Sequence, residues 1–106
     1  MNLLNRQPTR SEVHDYRRDG VVHIHGAVAL EWVEQIKSAI ESDLPNANYG
    51  SDRLFCDGMM MWQRDPIFKA YSHDSHLAEA AAKLMGARKI NLLYDQYLVK
   101  EPGGSA

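Results

Sequence analysis

The sequence predicts an α+β chain, and three observations carry that reading. Leu30, Val33, Ile36, Ile40 and Leu44 recur at spacings of three and four, the pattern of an amphipathic helix with one buried face. Asn91 to Val99 is an apolar and aromatic run of strand length, rich in Leu, Tyr and Val. No internal repeat or low-complexity linker divides the 106 residues, so they read as one domain or part of one.

The elements follow in order. Thr9 and Glu12 form a T-x-x-E capping box after Pro8, opening a short helix with Val13 and Tyr16 as its apolar stripe and Gly20 at its end. Val21 to His25 reads as a short strand ended by Gly26. The amphipathic helix comes next, with Glu31, Glu34, Lys37 and Glu41 on its polar side. Ala29 offers it no side-chain cap, and Pro45 stops it. Asn46 to Arg53 is a polar loop, and Asp57-Gly58 reads as a turn that starts an extended segment at the methionines. Asp65 and Pro66 suit the N-cap and first position of a short helix through Tyr71. Asp74 or Ser75 starts another, with Leu77, Ala80, Ala81 and Leu84 inward and Gly86 at its end. The last strand follows, closed by Pro102, Gly103 and Gly104. A strand and turn normally lead to a pairing partner, and none follows in this chain. The expectation is therefore a core strand left unpaired and open to self-association.

Composition narrows the partners. Twelve basic residues stand against 14 acidic ones, a formal net charge of -2. No basic block points to nucleic acid, and no basic amphipathic helix points to a membrane surface. No apolar run approaches the roughly 18 residues of a spanning helix. The opening MNLLNRQPTR lacks a signal-peptide core, and the lone Cys56 fits a reducing compartment, so a cytoplasmic location is expected.

Few residues carry chemistry by pattern alone. His23 and His25 form an H-x-H that a strand would point to one face, as a metal pair requires. No acidic ligand follows at a suitable spacing, so they read as ordinary strand histidines. His73 and His76 form H-x-x-H, but Asp74 and Ser75 between them read as helix caps. His14 reads as solvated on the polar side of the first helix. Met59, Met60, Met61 and Trp62 suit either core filling or an adaptable pocket wall. Cys56 has no neighbour that would lower its pKa and reads as a buried thiol. No Walker loop, nucleophile elbow, C-x-x-C pair or dinucleotide fingerprint is present.

Three stretches stand out, RDGVVHIHGAVALEWVEQIKSAI (18–40), LFCDGMMMWQRDPIFKAYSHDS (54–75) and INLLYDQYLVKEPGGSA (90–106), the last carrying a Lys-x-Pro-Gly strand end. Together they resemble the N-terminal part of the phytanoyl-CoA dioxygenase family of Fe(II)/2-oxoglutarate oxygenases, whose first major core strand has that Lys-x-Pro-Gly end. The resemblance implies the N-terminal helices and first strands of a double-stranded β-helix, a jelly-roll or cupin-like fold, truncated before its metal-binding strands. It implies Fe(II) and 2-oxoglutarate as cofactors of the full-length protein, and hydroxylation of a small organic or acyl-CoA-type substrate. The family's Trp-His-x-Asp motif and its distant last His are not in this sequence, and none of the histidines present matches them. The expectation for this chain alone is no bound iron and no turnover.

Matching on the Lys-x-Pro-Gly end places Gln96 at a position that lines the 2-oxoglutarate pocket in related members. Tyr94 and Lys100 share its face by period two, with Trp62 and Met61 in a second pocket-lining region. An amide or an ammonium suits a dicarboxylate by hydrogen bond or charge. A single bulge would turn Asp95, Tyr97 and Val99 inward instead. The alternative to an enzyme fragment is a non-catalytic module, or a degenerate member acting through protein interaction.

Overall fold

The computed structural model describes residues 6–103. Helix α1 (Arg10–Asp19) opens on the predicted capping box, with both of its hydrogen bonds formed between Thr9 and Glu12. It closes on Gly20, whose φ of 78° is the left-handed conformation that glycine adopts without strain. Helix α2 (Leu30–Asp43) has no side-chain cap at Ala29 and passes into a 3-10 turn, Leu44–Asn46, that contains Pro45.

Three strands follow in a single antiparallel sheet, ordered β1-β2-β3. They are β1 (Asn48–Tyr49), β2 (Phe55–Met59) and β3 (Gln96–Lys100). Between β2 and β3 lie a 3-10 turn (Met61–Gln63), helix α3 (Pro66–Lys69), a π turn (Ala70–Asp74) and helix α4 (Leu77–Met85). Asp65 Oδ1 accepts from the Ile67 and Phe68 amides at 2.8 and 3.2 Å, and Pro66 fills the first helical position, as the dipeptide predicts. The architecture is α+β.

The core forms in two adjoining clusters. Trp32 of α2 packs with Ala27 and Ala80, while Ala39, Met61, Phe68 and Tyr97 bring α2, α3 and β3 together. The chain from Ile36 to Val99 thus covers one face of the sheet with helices. That face carries the register pairs Cys56–Val99 and Gly58–Tyr97. The other face carries Phe55–Lys100, Asp57–Leu98 and Met59–Gln96.

Several expectations are corrected. Val21 to His25 forms no strand: 21–24 carry no regular structure and His25 begins a turn, because β-branched composition alone cannot supply ladder partners. Asp57-Gly58 is not a turn but the middle of β2, and the polar loop contains β1. The last strand begins at Gln96, with 91–95 outside the ladder. That strand does not lack a partner, since β3 pairs with β2 along its whole length. Among the described residues it has a neighbour on one side only. On α2 the buried seam is Trp32, Ala39 and Asp43, whereas Leu30 and Val33 are exposed. The large indole sets the helix rotation. Neither Asp74 nor Ser75 opens α4 as an N-cap: that position is His76, and Ser75 Oγ instead accepts from the Leu77 amide at 3.3 Å. Gly104 lies outside the described residues, while Pro102 and Gly103 form the expected turn.

Candidate functional site

The helix-covered face of the sheet is sealed by a polar lock. Tyr97 Oη donates to Asp43 Oδ2 at 2.7 Å, and Arg64 donates to both oxygens of Asp43 at 2.9 and 3.3 Å. Each buried polar group in that trio has a partner, as burial requires. Burial first, and then the Asp43 carboxylate, push the Tyr97 phenol above its ordinary range. The same Arg64 guanidinium meets the Met61 sulfur at 2.9 Å.

The opposite face is open. Gln96 Nε2 donates to Asp57 Oδ2 at 2.9 Å across the β2–β3 ladder. Lys100 lies opposite Phe55 in register on the same face. Leu98, 63 % exposed, stands between them with Asp57 as its register partner, and Met59, 44 % exposed, lies opposite Gln96. An amide donor and an ammonium on either side of an exposed leucine can hold a small dicarboxylate or a partner surface. Asp57 opposes the first of these, because its carboxylate is an acceptor of the same sign.

The five candidate residues do not converge. Gln96 and Lys100 share the open face, as period two requires. Tyr94 precedes the ladder and lines a separate cleft beside the π turn. Trp62 contacts two residues that line that cleft: its amide donates to Asp95 Oδ2 at 3.0 Å, and its ring lies 4.9 Å from that of His73. Met61 is fully buried on the sealed side and is a core residue by its surroundings. Of the three residues in the face alternative, Tyr97 and Val99 lie against the helices, while Asp95 precedes the ladder and is in neither core cluster.

Two residues take roles that local pattern does not disclose. Asp57 sits in an Asp-Gly dipeptide, which has turn chemistry in isolation. Asp95, named in the sequence only as part of the alternative inward face, lies just before β3 and bonds across to the end of β2. Its backbone carbonyl accepts from the Met60 amide at 2.9 Å and its side chain from Trp62, so one residue pins the chain where it leaves β2. Met60 takes a φ of 55° there, a conformation uncommon for a non-glycine residue.

His23 and His25 bring their rings to 3.9 Å, and His73 bonds Ser72 Oγ through Nδ1 at 2.7 Å. Among the described residues no group of three or more His, Cys, Asp or Glu side chains could hold a metal ion. Among the described residues no helix is long and apolar enough to cross a membrane.

No protein-family model matches the chain, and no curated protein and no solved structure matches it.

Proposed function

We propose that the open face of the sheet is one wall of a 2-oxoglutarate pocket in an oxygenase of the phytanoyl-CoA dioxygenase type. Its iron ligands and remaining β-helix strands would lie outside this sequence. The single observation that carries the reading is the division of the sheet into a helix-sealed face and an open one. Helices pack against Tyr97 and Val99, whose register partners Gly58 and Cys56 are buried, which leaves Gln96, Leu98 and Lys100 facing away. A double-stranded β-helix has the same need, because its second sheet must cover the first sheet's other face. Exposed Leu98 and Met59 on that face support a covering layer.

The role of this chain is binding rather than chemistry. Lys100 offers a charge and Gln96 offers its second amide N–H, the first being given to Asp57. No step of oxygen activation is assigned to residues of this chain.

The test is a titration of the 106-residue chain with 2-oxoglutarate, followed by backbone amide shifts. Saturable changes confined to 55–59 and 96–100 are expected. Shifts absent from both strands would overturn the reading. Exposed Leu98 and Met59 also favour a second reading, a non-catalytic module that buries this face against another chain. In that case Leu98→Glu would abolish association and 2-oxoglutarate would leave both strands unmoved.

A further inference from the structure

The cleft between the π turn, α4 and residues 90–95 belongs to neither the sealed core nor the open sheet face. Its volume is about 570 Å³, within the range that small-molecule sites occupy. Leu77, Ala78 and Ala81 of α4 and Leu92 opposite give it apolar walls, while Tyr71 and Asp95 bring polar groups to it. The Asp95 carboxylate is held in place by the Trp62 amide at Oδ2. Its other oxygen, Oδ1, is buried and has no hydrogen-bond partner among the described residues. A carboxylate oxygen withdrawn from water without a donor is costly, and an isolated one calls for an explanation. The pinning of 59–62 by Asp95, through the strained Met60, explains Oδ2 and leaves Oδ1 unexplained.

The geometry points to a ligand site here for a small primary amine that carries an apolar body. The ammonium supplies donors to Asp95, and the apolar body lies along Leu77, Ala81 and Leu92. Charge-assisted bonding favours an ammonium over a hydroxyl, because a carboxylate accepts more strongly from a charged donor. Half-exposed Tyr94 lines the same cleft beside Asp95 and stands outside the β3 ladder. His73, fixed between Ser72 and Trp62, frames the far end of the cleft. This site is independent of the dicarboxylate reading, as it uses neither Gln96 nor Lys100.

The experiment is an amide-shift titration of the full chain with phenethylammonium chloride, with 2-phenylethanol as the uncharged match. Saturable shifts at Trp62, at 71–73 and at 90–95 are expected with the amine, and binding of the alcohol weaker by about tenfold or more. Asp95→Asn should weaken the amine by a similar factor. Because Asp95 also pins Trp62, Ala78→Phe supplies a second variant: Ala78 is exposed on α4 and its enlargement fills the cleft without touching a polar contact. That variant should keep the native melting temperature and lose the amine. Absence of amine binding, equal binding of amine and alcohol, or undiminished binding by a folded Ala78→Phe would each overturn the proposal. 2-Oxoglutarate shifts on the sheet face, present or absent, leave these outcomes unchanged.

Discussion

Tyr97 lies across Gly58 on the helix-covered face of the sheet, so close that a Cβ built on Gly58 would stand 2.3 Å from the tyrosine ring. The two are partners in the β2–β3 register, and the ring is anchored beyond the glycine by its bond to Asp43. Glycine is required here for space, not for backbone freedom. The contact joins α2 to both long strands and defines which face of the sheet is closed.

Gly58→Ala is expected to destabilise the fold by about 1–3 kcal/mol, the usual cost of overpacking a filled interior. The ring cannot swing aside without losing Asp43. Chemical denaturation of both proteins checks this, with Gly50→Ala as a control, since a Cβ there meets only ordinary contacts of 3.6 Å and beyond.

Removing the phenol should act differently. Tyr97→Phe leaves the ring in place but takes one donor from Asp43, for a loss of about 1.5–3 kcal/mol, typical of a hydrogen bond to a charged group. The pH dependence has a definite sign. The folded phenol titrates above its ordinary value of 10.0, so its contribution is complete below about pH 10 and is lost as pH rises beyond it. Thermal melts of the native chain should fall in alkali, and the Tyr97→Phe variant should lose that slope.

At the other end of the chain, Glu12 contributes to the acid limb. Arg6 donates to both its oxygens at 2.7 and 2.9 Å, and with the Thr9 amide it holds the carboxyl at about 2, below the ordinary 4.5. A lowered carboxyl contributes above its ordinary value and loses that contribution as pH falls through about 2. Glu12→Gln should flatten the stability profile between those limits, as followed by circular dichroism. Thr9→Ala, which removes the cap itself, should cost about 0.5–2 kcal/mol at neutral pH.

These contacts show what the sequence discloses and what it hides. Caps and stops are local, so Thr9, Gly20, Asp65 and Pro66 could be read correctly from neighbours within four residues. Strand pairing is not local. FCDGM looks like a turn because Asp-Gly is one in isolation, and only Tyr97, 39 residues later, explains the glycine. VVHIH has the composition of a strand and lacks a partner, so it pairs with nothing in a ladder. At the candidate site, period two correctly grouped Gln96 with Lys100. The placement of Met61 and Tyr94 depended on where β2 and β3 begin and end, which no local pattern records.

Asp57 yields a prediction on the open face. Its carboxylate takes an N–H of Gln96 and repels an anion at the same spot. Asp57→Asn should therefore tighten 2-oxoglutarate binding, by about threefold to tenfold. Competition with unlabelled succinate would read the change.

The most direct test of the open face as a dicarboxylate wall is calorimetric titration of 2-oxoglutarate into the native chain and into Lys100→Ala. Lys100 is exposed on that face and belongs to neither core cluster, so the variant should keep its fold. The account predicts measurable binding by the native chain and a dissociation constant raised about tenfold or more in the variant. Equal affinities in the two proteins would contradict it.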